Sequence, residues 1–87
     1  MTIYELDADG NTQALRLSLG DHVAFVEDDL GGGTVKLQYS PDDGTTWYDV
    51  TDASWTAAGQ KALVLGNCEV RFNLSGATSP TAKVGIL

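Results

Sequence analysis

The chain has 87 residues, with twelve Asp and Glu against five Lys and Arg and a formal net charge of −7. That length points to one domain with a thin stability margin. The acidic balance and the lack of any basic patch argue against direct nucleic-acid binding. Cys68 is the single cysteine, so no intramolecular disulfide framework forms, and no apolar run approaches the ~20 residues of a membrane span. The opening MTIYELDADG has no basic region followed by an apolar run, which predicts a chain made in the cytoplasm without export.

Taken in chain order, turn signals and alternation dominate, and no segment keeps a helical period. Residues 3–6, IYEL, read as a short first strand, and 7–11, DADGN, as a turn. Residues 13–19, QALRLSL, place Leu15, Leu17 and Leu19 on one face. After the Gly20-Asp21 turn, HVAFV (22–26) is apolar on both faces, as in a central or interface strand. The run EDDLGGG (27–33) carries three glycines and reads as the most flexible internal loop. Residues 34–40 alternate cleanly, with Val35, Leu37 and Tyr39 against Lys36, Gln38 and Ser40. A turn over Pro41, Asp42, Asp43 and Gly44 leads to a return strand at 47–51. Pro41 suits the first central position of a type I turn. Residues 52–60, DASWTAAGQ, read as a loop. KALVL (61–65) is again apolar on both faces. CEVRFNLS (68–75) turns Cys68, Val70, Phe72 and Leu74 inward. A turn at 76–80 precedes a last strand, KVGIL, at 83–87. About seven or eight short strands predict an all-β fold: a single antiparallel β-sandwich, jelly-roll or Ig-like, over residues 1–87.

Catalytic chemistry has little to stand on. His22, the only histidine, opens an apolar strand, and no GxSxG flags a serine nucleophile. Cys68 sits at an inward position, as a small apolar residue would. The pairs Asp28/Asp29 and Asp42/Asp43 lie in exposed turns where nothing is expected to shift their titration. DADGN resembles the start of a calcium loop but lacks the later oxygen ligands. His22 and Cys68 alone do not make a zinc site. The reading is no catalytic residue, no cofactor and no metal. The aromatic residues Trp47, Tyr48 and Trp55 remain as contact candidates. They fit a subunit interface, a sugar-stacking platform, or a small cluster closing the core. Alternation puts Trp47 at the hairpin's edge or on its outer face, unless a bulge turns it inward.

At residues 33–50, GTVKLQYSPDDGTTWYDV resembles a recurring signature of small β-sandwich proteins of tailed bacteriophages. In those proteins an alternating V-x-L-Q-x-S strand leads into an S-x-D-G-G-T-T-W turn and a V strand. The likeness continues more loosely through Ala57-Ala58-Gly59 and CEVRFNLSG to the last apolar strand; residues 1–30 carry none of it. Asp43 stands where the pattern has its first glycine, a departure that bears on the turn's geometry. The resemblance implies a virion structural protein with no catalytic residues: a head decoration or fibre protein, or a tail or neck piece, often trimeric. A similar Y-S-x-D-G-x-x-W turn occurs in carbohydrate-binding and fibronectin-like sandwiches.

The expectation is therefore an oligomeric capsid decoration (cement) protein on the outer particle surface. It would be made in the host cytoplasm, assemble as a homotrimer, and bind virion proteins such as the major capsid protein, with no membrane or nucleic-acid contact. The doubly apolar strands at 22–26 and 61–65 exceed what one sandwich core needs, which agrees with an oligomer. The alternatives are a carbohydrate-binding module using Trp47, Tyr48 and Trp55, a tail or neck component, and an acidic inhibitor of a nucleic-acid enzyme.

Overall fold

The computed structural model describes residues 3–87. These residues form nine strands: β1 (Ile3–Leu6), β2 (Gly10–Asn11), β3 (Leu15–Leu17), β4 (Gly20–Glu27), β5 (Thr34–Ser40), β6 (Tyr48–Trp55), β7 (Gly59–Leu65), β8 (Cys68–Ser75) and β9 (Ala82–Ile86). Every pairing is antiparallel. One sheet, here sheet A, has the order β1-β9-β4-β7. The other, sheet B, has β2-β8-β5-β6, with β3 also against β8. The fold is an all-β sandwich, as the alternation predicts.

Its core comes from one side-chain row of each sheet. Sheet B contributes Val35 and Leu37 from β5 and Val70, Phe72 and Leu74 from β8. Sheet A contributes Ala24 and Val26 from β4 and Val84 and Ile86 from β9; all are buried. Antiparallel register places Leu37 opposite Phe72 and Val35 opposite Leu74, so these rows share a face. The inward row read from CEVRFNLS is thus the centre of the protein. At roughly 1.5–3 kcal/mol for each large apolar side chain fully buried, this cluster supplies the main driving force for folding.

The last strand is tied down on both sides. β9 lies between β1 and β4, with Gly85 opposite both Ile3 and Phe25. KVGIL therefore pairs inside its own sandwich. HVAFV is indeed central in its sheet, whereas KALVL lies in β7 at an edge. The strand expected at 13–19 contracts to β3, and Leu19, read on one face with Leu15 and Leu17, is 70% exposed while Leu17 is buried.

Two loops differ from expectation. Residues 52–60 are not a loop: β6 runs through Trp55, and β7 starts at Gly59. A large bulge hid this. Lys36 pairs with Ser54 but Gln38 pairs with Asp49, so residues 50–53 oppose Leu37 alone. Asp52, inside the bulge, has φ 62°. The extra residues reverse the phase of alternation, so that Ala53 and Trp55 point inward.

The glycine run, expected to be the loosest loop, is packed. The amide of Thr78 donates to the carbonyl of Gly31 at 2.9 Å, that of Thr81 to Asp29 at 2.8 Å, and that of Gly33 to Leu30 at 3.0 Å. Leu30 is buried beneath them. A Cβ on Gly31 would stand 2.5 Å from the carbonyl oxygen of Thr78, and one on Gly33 2.7 Å from that of Ser75. These glycines are there because two backbones approach closely.

Gly31 and Gly32 both have positive φ, but only Gly31 abuts another chain segment. Gly31→Ala is expected to cost about 2–4 kcal/mol, combining left-handed strain with a backbone clash. Gly32→Ala should cost about 1–2 kcal/mol, from the strain alone. Urea unfolding of both variants measures the difference.

Candidate functional site

The hairpin between β5 and β6 is built around Ser40 and Asp42. Ser40 is buried, and its hydroxyl donates to Asp42 Oδ1 at 2.9 Å while accepting from the amide of Gly44 at 2.8 Å. Asp42 Oδ1 also accepts from the amide of Thr46 at 2.8 Å. The amide of Thr45 reaches the carbonyl of Asp42 at 3.4 Å. Between them, Asp43 and Gly44 have φ 58° and 91°. Two positive φ values at the central positions are the pattern of a type I′ turn, for which Asp-Gly is a favoured pair. The tight turn is thus centred on Asp43-Gly44, not on Pro41, and Asp43 replaces glycine at a position that aspartate tolerates. Asp43 also accepts from Arg16 at 3.0 Å.

For Asp42, these bonds overturn the expectation that nothing in the turn shifts its titration. The Thr46 amide first, then the Ser40 hydroxyl, hold the Asp42 carboxyl below its ordinary 3.8. A depressed folded value favours the folded state above the unfolded pKa. That contribution is lost as pH falls through the lower, folded value.

The three aromatic candidates separate. Trp55 is in the core at 4% exposure, its ring 6.1 Å from that of Phe72 and tilted by 50°. Its Nε1 is the one buried side-chain polar atom without a partner among the described residues. Trp47 lies half-buried on the outer face of sheet B, as alternation predicts. The guanidinium of Arg71 lies 4.3 Å from the Trp47 ring centroid, and the indole N–H donates to the carbonyl of Gly44 at 3.1 Å. Tyr48, at the strand's start, is 51% exposed and sits 5.7 Å from Tyr39 between ring centroids. Trp47 immediately precedes β6 and Trp55 is its last residue, so they stand at opposite ends of the strand. They do not form one platform: Trp55 belongs to the core, and one face of Trp47 is covered.

His22 and Cys68 are also accounted for. His22 Nδ1 lies 2.9 Å from the oxygen of Leu87, and Nε2 lies 2.9 Å from that of Ser18. Both oxygens only accept, so an imidazolium bonds both and a neutral ring bonds one. The ring links the chain before β4 to the residue after β9. Cys68 is buried, and burial pushes its thiol above the ordinary 9.0, with Arg16 pulling weakly the other way. Among the described residues, no three His, Cys, Asp or Glu side chains gather where a metal ion would sit.

What sequence reasoning did not assemble is the contrast between the two outer faces. Sheet B is polar outside. Arg71 Nε donates to Gln38 at 2.8 Å, Gln38 donates to Asp49 at 2.9 Å, and Lys36 stands 3.8 Å from Asp49. Sheet A is apolar over the middle of its outer face, with Asp21 beside Val64 and Gln60 beside Phe25 as exposed polar residues at the β7 side. Ile3, Gly85 and Phe25 lie in one row across three strands, and Leu87, Val23 and Ala62 in the next. Val64 follows on β7. Ile3, Val64 and Leu87 are 48%, 70% and 59% exposed, while Val23 and Phe25 are half-buried. A depression of ≈ 490 Å³ lies against Val23, Ala62, Val64 and Leu87. Glu5, Lys83 and Glu27 form a charged row along one side of this area. The doubly apolar strands signalled this surface. Ile3 and Gly85 entered only through the pairing of β1 with β9.

Against known proteins, no family model matches the chain, and no curated protein or solved structure matches it.

Two measurements test the hairpin. The Asp42 carboxyl, followed by carbon-13 NMR, should titrate with a midpoint below 3.8, and Ser40→Ala should move that midpoint upward. In fluorescence, the blue-shifted, acrylamide-resistant emission should vanish in Trp55→Phe and persist in Trp47→Phe.

Proposed function

We propose that this chain is a structural protein that works by laying the apolar outer face of sheet A on another protein. The observation that carries this reading is the asymmetry of the sandwich: polar networks cover sheet B, while Ile3, Val23, Phe25, Val64 and Leu87 lie together on sheet A. Contiguous exposed apolar surface rimmed by charge marks interaction sites in soluble proteins. Sheet packing of this kind needs shape complementarity and no reacting group.

The hairpin supplies the setting. Residues 33–87 resemble small β-sandwich virion proteins of tailed phages, and the reading is an oligomeric capsid decoration protein bound to the major capsid protein. A net charge of −7 favours a position outside the shell, away from packaged DNA.

Mass spectrometry of purified particles from the source phage is expected to find this chain in a fixed ratio to the major capsid protein. Its absence from the particle ends the virion reading, and its presence only in isolated tails moves it to a tail component. Val23→Lys, which puts a charge at the centre of the apolar face, should weaken binding to particles by at least about tenfold, or ~1.4 kcal/mol, with little change in melting temperature.

A further inference from the structure

We propose that β7 is a pairing edge for a second copy of this chain, joining two sandwiches about a two-fold axis through a continuous sheet A.

Four edges flank the two sheets, and three are interrupted or guarded. β6 carries the bulge at 50–53 with positive φ at Asp52. The β2/β3 edge is split into strands of two and three residues. β1 offers four described residues, among them the exposed Glu5. Such devices block unwanted strand addition. β7 is the longest unbroken edge: seven regular residues, no bulge, no proline and no carboxylate, with one charge, Lys61, on its inner row.

The backbone of β7 is oriented for pairing. Val23 exchanges both of its bonds with Leu87, on the β9 side. In an antiparallel ladder successive residues turn to opposite neighbours, so His22 and Ala24 bond β7. Their register partners, Leu63 and Lys61, return those bonds. The N–H and C=O groups of Gln60, Ala62 and Val64 therefore point away from the sheet. All three residues are exposed.

A second observation favours a copy of β7 as the occupant. At this edge the two sheets part, leaving a groove of ≈ 630 Å³ walled in part by Tyr39, Val50, Leu63 and Leu65. An added strand would project its inner row into that groove. With Leu63 on the two-fold axis, Ala62 lies opposite Val64 of the second copy, and the reverse pair repeats it, giving about four new backbone hydrogen bonds. Leu63 of the second copy then lies beside Leu63 at the groove. This register keeps outer row with outer row, so the apolar faces of the two sheets merge. Charge permits it: each chain is acidic overall, yet no carboxylate lies in the paired strands. Lys61 meets Leu65 rather than its own copy, and its methylene stem packs along it.

This pairing is independent of any capsid. It gives a two-fold dimer in place of the trimer that the hairpin resemblance implies. Light scattering at micromolar concentrations is expected to give twice the chain mass of 9.2 kDa. A mass fixed at that of the monomer or the trimer overturns the proposal. Val64→Pro removes an N–H that points away from sheet A, and Ala62→Glu sets like charges near one another across the axis. Each should raise the dimer dissociation constant by at least about tenfold, with the far-UV circular dichroism unchanged. Dimers that persist in both folded variants also overturn it. Hydrogen exchange on the unaltered chain needs no variant. The amides of Ala62 and Val64 should gain protection as concentration rises, while those of Lys61 and Leu63 are protected throughout. Fast, concentration-independent exchange at Ala62 and Val64 excludes β7 as the interface. A dimer that never enters virions would leave the pairing standing and remove only the capsid reading.

Discussion

The inward rows of β5 and β8 meeting those of β4 and β9 are the constraint from which the remaining features follow. A strand of period two can give only one face to that contact, so each sheet has a second face whose chemistry is free to vary. In sheet B the second face carries Lys36, Gln38, Arg71 and Asn73, linked to Asp49 and Asn11 by charged and amide contacts. In sheet A it carries Val23, Phe25 and Ala62, to which Ile3 and Leu87 are added by register. One packing rule thus produces a molecule with a wet side and a dry side. The dry side is the feature that a globule working alone has least use for.

Turn chemistry supports this core without entering it. Asp9 accepts from the amides of Gly76 and Ala77 at 3.1 and 2.9 Å, tying the first turn to the connection before β9. Asn67 accepts from the amide of Leu19 at 2.9 Å, tying two more turns at the other sheet junction. Asp9, Asp29, Asp42 and Asn67 are thus acceptors for turn amides that would otherwise lack a partner.

Much of the fold was legible because alternation is a direct consequence of strand geometry. CEVRFNLS kept one unbroken phase, and its inward residues are the buried ones; TVKLQYS kept it through Leu37, after which Tyr39 is half-buried and Ser40, read as outward, is buried in the hairpin turn. Legibility failed where the backbone left that period. Three extra residues in β6 reversed the phase before Ala53, so a strand ending in a buried tryptophan looked like a loop. The glycine run has the composition of a flexible segment, and its reason for being glycine is a contact with residues 75–78, distant in sequence. The shift of Asp42 was missed because it depends on Ser40 and Thr46 bending back over one carboxylate oxygen, which residue type alone does not specify. Of the contact candidates, parity left Trp47 at the hairpin's edge or on its outer face, between which the Arg71 contact decides, and Trp55 was resolved only by its position after the bulge. The outer face of sheet A was half legible: two doubly apolar strands announced it, but strand order was needed to show that they adjoin.

The position of β9 has a consequence for the order of events during synthesis. Residues 82–86 supply the partner of β1 on one side and of half of β4 on the other. Until they leave the ribosome, β1 has no neighbour, and β4 exposes both an open ladder and its apolar rows. Sheet B can be complete while sheet A is still two separate pieces. The final closure joins positions as far apart as Ile3 and Gly85, the kind of long-range pairing that places β proteins in the slower, millisecond-to-second range of folding. A nascent chain whose residues 82–86 are still inside the ribosome would carry its stickiest surface uncovered, so chaperone access bears on the yield of this small domain more than its size suggests.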